Sequence, residues 1–101
     1  MIHVIAAIHI HEGRMAEFLP ILKANVPFVL QEKGCREYIP TMDVMSGFAA
    51  QEHDDHVVTI LEQWESLDDL RAHMKAAHMI SYHEKTREIV KKVQIKVLTA
   101  V

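Results

Sequence analysis

A chain of 101 residues, half of them hydrophobic and a quarter charged, with three Gly and three Pro, has the composition of one ordinary globular domain. It is too short for two functional domains side by side and too apolar for a disordered tail. A net charge of −3 with no block of five like charges argues against a nucleic-acid surface, and the apolar runs are too short to span a membrane.

Residues 2–10 alternate, with Ile2, Val4, Ala6, Ile8 and Ile10 on one face and His3, Ile5, Ala7 and His9 on the other. This reads as a strand with one clean core face and a second, partly apolar one, not as a signal peptide. After the turn His11-Glu12-Gly13, the residues Met15, Phe18, Leu19, Leu22, Val26, Val29 and Leu30 recur at three- and four-residue steps, predicting an amphipathic helix from about Arg14 to Lys33. Pro20 and Pro27 each remove a backbone donor, which predicts a kink or two collinear pieces. Gly34 suits a left-handed cap, and a second strand follows from Cys35 to Ile39.

The stretch Asp43–His56 reads as an irregular connection in which Phe48-Ala49-Ala50 adds a little strand. Val57–Trp64 is a β-branched third strand. Ser66, with Asp69 three residues on, predicts an N-cap. The next helix carries Leu67, Leu70, Met74 and Ala77/His78 on one stripe, a further helical segment runs from about Ile80 to Val90, and Val93, Ile95, Val97 and Thr99 alternate in a last strand.

The order βαββαβ is that of a ferredoxin-like α+β domain over residues 1–101, an antiparallel sheet with helices on one face and strands one and three at its centre. Those central strands are apolar on both faces, which predicts a homodimer packed sheet to sheet. The single cysteine, Cys35, permits no internal disulfide or multi-cysteine zinc site and suits a reducing cytoplasm.

Three polar groups fall where the pattern expects core: Glu62 with Trp64, two apart and so on one face of a strand; His78 with its neighbour His73; and Tyr38 on strand two. Together with Met74 they would make an apolar, aromatic-lined pocket for a small molecule, unless each is simply a hydrogen-bonded core residue. No HExxH motif occurs, and His9, His11, His53 and His56 read as solvated surface histidines, so no metal site is expected. Cys35 follows a helix end, where the dipole disfavours a thiolate.

Glu32-Lys33-Gly34-Cys35 with Tyr38, then Glu62-Gln63-Trp64-Glu65-Ser66, Ala72-His73 and Ala77-His78-Met79 resemble, in order and spacing, the antibiotic biosynthesis monooxygenase family, and within it the bacterial quinol monooxygenases. The resemblance implies a dimeric α+β barrel and oxygenation of a quinol or related aromatic by O2 without metal, flavin or other cofactor. It also implies site roles for Trp64, His73, His78 and the Gly34-Cys35-x-x-Tyr38 segment. Two departures are visible. Ala76-Ala77 replaces the family's frequent Thr-Pro, predicting a softer helix break, and strand one lacks the asparagine of the heme-degrading branch.

A hydroquinone reacts with O2 once deprotonated, so the protein needs a base, an oxyanion stabiliser and a dry cavity. A phenol with pKa about 10 facing a histidine near 6.5 leaves a gap of about 5 kcal/mol. The expected roles are His78 as base, His73 or Tyr38 as hydrogen-bonding partner, Trp64 as stacking wall, and Glu62 and Met74 in the pocket. Two other readings use the same residues: a non-enzymatic quinone-binding stress protein, and a cofactor-free isomerase that needs no oxygen.

Overall fold

The computed structural model describes residues 1–101. Its elements are β1 (Ile2–Ile10), α1 (Met15–Leu30), β2 (Cys35–Met42), β3 (Val57–Trp64), α2 (Leu67–Met74), α3 (Ala77–Thr86) and β4 (Val90–Leu98). The four strands form one antiparallel sheet in the order β2-β3-β1-β4, the ferredoxin-like arrangement with β1 and β3 central.

Side-chain alternation along strands divides the sheet into two faces. On the helix side, Val4, Ala6, Ile8 and Ile10 lie beside Val58, Ile60, Glu62 and Trp64, and all eight are buried. Tyr38 pairs with Glu62 from the other side. An irregularity at Arg36 lets Cys35 pair with Trp64 and Tyr38 with Glu62, so two residues three apart share a face, which unbulged pleating forbids. On the opposite face, Ile39, Leu61 and Ile5 stand side by side across three strands, each partly exposed.

The helix α1 is a single run through both prolines rather than two pieces. Its core stripe is Phe18, Leu22, Asn25 and Val29, whereas Pro20 and Pro27 are exposed, one heptad apart on the outer face. The carbonyls that lose their donors, those of Ala16 and Lys23, belong to exposed residues and can be hydrated, which removes much of the usual cost of an internal proline. Ser66 caps α2 as expected, its hydroxyl accepting from the Asp69 N–H at 3.1 Å.

Three local expectations are corrected. Phe48-Ala49-Ala50 forms no strand; Ala49 and Ala50 lie in a turn and Phe48 is exposed. Connection 43–56 is instead tied by side chains, with the Asp54 N–H donating to Asp43 and the Gln51 amide to the Val44 carbonyl. The stripe of α2 is Leu70 and His73, while Leu67 and Met74 are largely exposed. The break before α3 is complete without proline, since Ala76 is extended (φ −61°, ψ 140°), and α3 then runs Ala77–Thr86, earlier than its expected bounds.

The helices pack over β2, β3 and one another, leaving the edge strand β4 the least covered. Its inward residues Val93, Ile95 and Val97 therefore remain about half exposed although they pair with buried Ile8, Ala6 and Val4. That uncovered margin is where the sheet opens to a cavity.

Candidate active site

A cavity of about 240 Å³ lies between the sheet and α2/α3. Its floor is Val4, Ala6, Ile8 and Ile60, Val93 and Ile95 form one margin, and Met74, Met79, Tyr82 and Thr86 belong to the helix wall. The polar groups that reach it are Tyr38, Glu62 and His73, with His83 on the solvent-exposed side of α3 and Arg87 just past its end.

His73 sits at the centre of this arrangement, with only 3 % of its side chain exposed. Its ring lies 4.7 Å from the Trp64 ring and 5.8 Å from that of Tyr38, the latter edge-on. Its Nδ1–H donates to Glu32 Oε2 at 2.7 Å, and that carboxylate fixes the tautomer. The other nitrogen, Nε2, is then a lone pair on a ring that lines the cavity.

Glu32 reaches this point because the chain leaves α1 in a tight turn. The Cys35 N–H donates to the Glu32 carbonyl at 3.2 Å, and Gly34 adopts φ +80°, the left-handed region that favours glycine. A Cβ at Gly34 would collide with the Asp69 carboxylate in the first turn of α2, so glycine also lets the two segments approach.

Glu62 lies between Val4 and Tyr38 in an apolar surround. Burial pushes its carboxyl above the usual range, and the Trp64 indole N–H, donating to Oε1 at 2.9 Å, works against that rise. Tyr38 is buried, and desolvation, reinforced by the negative charge of Glu62, raises its phenol so that it stays a neutral donor. Tyr82 is raised by burial in the same way. His83 is shifted down, first by burial and then by His73, so it favours its neutral form. Burial, then the charges of Glu32 and Glu62, push the Cys35 thiol up to about 11.

Of the residues singled out in the sequence, Tyr38, Glu62, His73 and Met74 line one cavity, and Trp64 stands behind His73 as a wall. His78 does not reach that cavity. It faces a second hollow of about 250 Å³ between α1 and α3, beside Asn25, Phe28, Tyr82 and Lys85. Its Nδ1 is 3.0 Å from Asn25 Oδ1, and its Nε2 lies 3.2 Å from Glu32 Oε2, off the line a hydrogen bond requires.

Sequence reasoning missed Glu32 and Asn25 as site residues, and also Tyr82, His83 and Arg87. Asn25 left a signal, a polar residue in phase with Phe18, Leu22 and Val29. No three His, Cys, Asp or Glu side chains are arranged to hold a metal ion, and no helix is long and apolar enough to cross a membrane.

The chain is similar to known proteins in both sequence and shape. The family model "Antibiotic biosynthesis monooxygenase" matches residues 1–85. Over 73 residues, 72 % of this chain and 70 % of the relative, it is 37 % identical to "Probable quinol monooxygenase YgiN" of Escherichia coli (strain K12). Solved structures of PA3566 from Pseudomonas aeruginosa (24 % identity, TM-score 0.83, covering 99 % of this chain and 93 % of that one) and of Rv0793 from Mycobacterium tuberculosis (21 %, 0.82, 99 % and 94 %) share the fold. A family match across most of the chain, carried on the expected ferredoxin-like fold, establishes that this protein belongs to the antibiotic biosynthesis monooxygenase family.

Proposed function

We propose that this protein is a cofactor-independent monooxygenase that oxidises a quinol or closely related aromatic with O2. The observation that carries the reading is His73. It is a nearly buried imidazole whose Nδ1–H is held by a carboxylate, whose Nε2 is left as a base, and which lines an apolar cavity between two aromatic rings.

The chemistry follows from these positions. His73 Nε2 removes a proton from the quinol hydroxyl, and Glu32 balances the imidazolium that forms. The gap of about 5 kcal/mol between a phenol and a histidine is then narrowed by a donor aimed at the phenolate oxygen. One preorganised donor in a water-poor site is worth about 3–4 kcal/mol, and Tyr38, kept neutral by burial and lining the cavity, supplies that donor in this reading. The resulting anion is the species that O2 oxidises. Pockets for drug-sized ligands measure about 300–1,000 Å³, so a cavity of about 240 Å³ suits a one- or two-ring quinol better than a larger polycycle.

In this reading a second copy of the chain covers the apolar outer face formed by Ile5, Ile39 and Leu61, giving the homodimer expected from the sequence. Partners are then a small aromatic quinol, O2 and another copy.

The test is oxygen uptake with a reduced naphthoquinol, measured above the autoxidation blank. Uptake by the wild type that falls at least a hundredfold in His73→Gln supports the proposal. Tight binding of the quinone without uptake supports a binding protein, and oxygen-independent conversion of a small dicarbonyl supports an isomerase.

A further inference from the structure

We propose that Glu32 and His78 form a proton path joining the cavity to the hollow between α1 and α3, through which His73 hands on the proton it takes from substrate. This rests on the reading of His73 as the base.

The need for such a path is set by burial and by stoichiometry. Oxygenation of a quinol to a hydroxyquinone by O2 forms one C–O bond and one molecule of water. It transfers four electrons from the organic molecule to the two oxygen atoms and releases no net proton. A proton withdrawn to make the reactive anion must therefore be held and then returned to the oxygen that leaves as water. With an aromatic ligand in the cavity, His73 has almost no contact with solvent.

The geometry supplies a holder. A single carboxylate oxygen, Glu32 Oε2, stands 2.7 Å from His73 Nδ1 and 3.2 Å from His78 Nε2. The side chains grade outward, 3 % exposed at His73, 16 % at Glu32 and 23 % at His78. The polarity of the last link is set by Asn25. Its amide N–H donates to Met79 Sδ at 3.2 Å, which turns its carbonyl oxygen toward His78 Nδ1 at 3.0 Å and places a hydrogen on that nitrogen.

His78 Nε2 is consequently a lone pair beside a carboxylate, and it is buried without a hydrogen-bond partner. A purely structural network would avoid that arrangement, because an unsatisfied buried acceptor costs about 1–3 kcal/mol. As a proton acceptor it is correctly prepared. When His73 Nε2 gains the substrate proton, its Nδ1 proton passes to Glu32 Oε2; rotation about the carboxyl C–O bond then turns that O–H onto the line to His78 Nε2, 3.2 Å away, and the proton moves on, the same steps running backward when the leaving oxygen is protonated. The other ionisable groups facing these three are Tyr38, Cys35 and Glu62 on the sheet and Tyr82, His83 and Lys85 on α3. None of them hydrogen-bonds both histidines.

The experiment uses 1-naphthol, a two-ring phenol whose anion absorbs separately, mixed with the full chain in a stopped-flow instrument, so that no oxygenation is required. The wild type should ionise the bound naphthol rapidly. Glu32→Gln, which still accepts from His73 but cannot carry a proton, and His78→Ala should each slow ionisation at least tenfold, with naphthol affinity changed less than about threefold. Added imidazole should restore the His78→Ala rate. Wild-type rates in both variants overturn the proposal, and so does slow ionisation in His78→Ala that imidazole does not rescue, which would mark His78 as a structural support. A wild type that ionises naphthol through this path yet consumes no oxygen with any quinol removes the monooxygenase reading and leaves the proton path standing. A wild type that oxygenates quinols but does not depend on Glu32 or His78 does the reverse.

Discussion

The pairing of Trp64 with Glu62 gives a prediction that can be worked through. Trp64→Phe removes the indole N–H that donates to Glu62 Oε1 at 2.9 Å, together with the pyrrole edge of a fully buried ring. A hydrogen bond to a buried charged acceptor is worth about 1.5–3 kcal/mol. The lost ring atoms add about 1–2 kcal/mol of transfer and cavity cost, for a deficit of about 3–5 kcal/mol near neutral pH. A domain of this size has about 5–15 kcal/mol in hand, so the variant should still fold.

The deficit should depend on pH in a definite direction. The native Glu62 carboxyl is already raised by burial, and losing the donor raises it further. The unfolded chain therefore gives up this proton first, and the variant loses stability as pH rises through about 4.5, the ordinary value for the group. Below that pH the carboxyl is protonated in both states, the hydrogen bond is a neutral one worth about 1 kcal/mol, and the deficit should shrink to about 2–3 kcal/mol. Urea unfolding followed by far-ultraviolet circular dichroism, at about pH 7.5 and about pH 4, measures both, since the substitution removes the only tryptophan fluorophore. An equal deficit at the two pH values would show that the indole is not holding an ionised carboxylate.

Other substitutions follow from the same geometry. Glu62→Gln keeps an acceptor for Trp64 without a charge to desolvate, so it should raise the urea midpoint at neutral pH, with the gain fading as pH falls toward 4.5. Gly34→Ala should cost about 1–2 kcal/mol from the left-handed backbone alone, plus displacement of the Asp69 side chain; adding Asp69→Ala should recover only the carboxylate's share, because the Asp69 Cβ still lies 2.8 Å from the new methyl, measured as a double-mutant cycle. Leu61→Lys on the outer sheet face should give a monomer in sedimentation at micromolar concentration, and a dimer that survives it would place the subunit contact elsewhere. His83, shifted down by burial and by His73, is a charge the folded state disfavours, so stability should decline as pH falls through the unfolded value of about 6.5. His83→Gln should flatten that decline in a pH series of thermal midpoints.

The sequence made the sheet legible because period-two alternation is local. Val4, Ala6 and Ile8 on one strand and Glu62 and Trp64 on another announced the face each set shares, and the structure pairs Val4 with Glu62 and Ala6 with Ile60. It was less informative about the helices around the site. Extending the four-residue step from Met74 to His78 assumed one continuous helix, but the chain leaves helical geometry at Ala76, so the phase is lost and His78 turns to a different hollow. His73 was visible as a candidate but not as the group lining the cavity. Glu32 was beyond local reasoning altogether, since its meeting with His73 spans 41 positions and depends on the turn made by Gly34. The inward residues of β4, Val93, Ile95 and Val97, illustrate the same limit: their alternation was readable, but their exposure follows from which strand the helices leave uncovered.

The raised pKa of Cys35 has a consequence under the proposed reading, in which the product is a quinone. Quinones are electrophiles that arylate thiolates, and the single, partly buried cysteine would ordinarily be their first target. Moving the thiol from 9.0 to about 11 lowers its thiolate population about a hundredfold at neutral pH. Burial, with the carboxylates of Glu32 and Glu62, thus also shields the thiol chemically, and the chain should keep its original mass when incubated with a quinone at neutral pH.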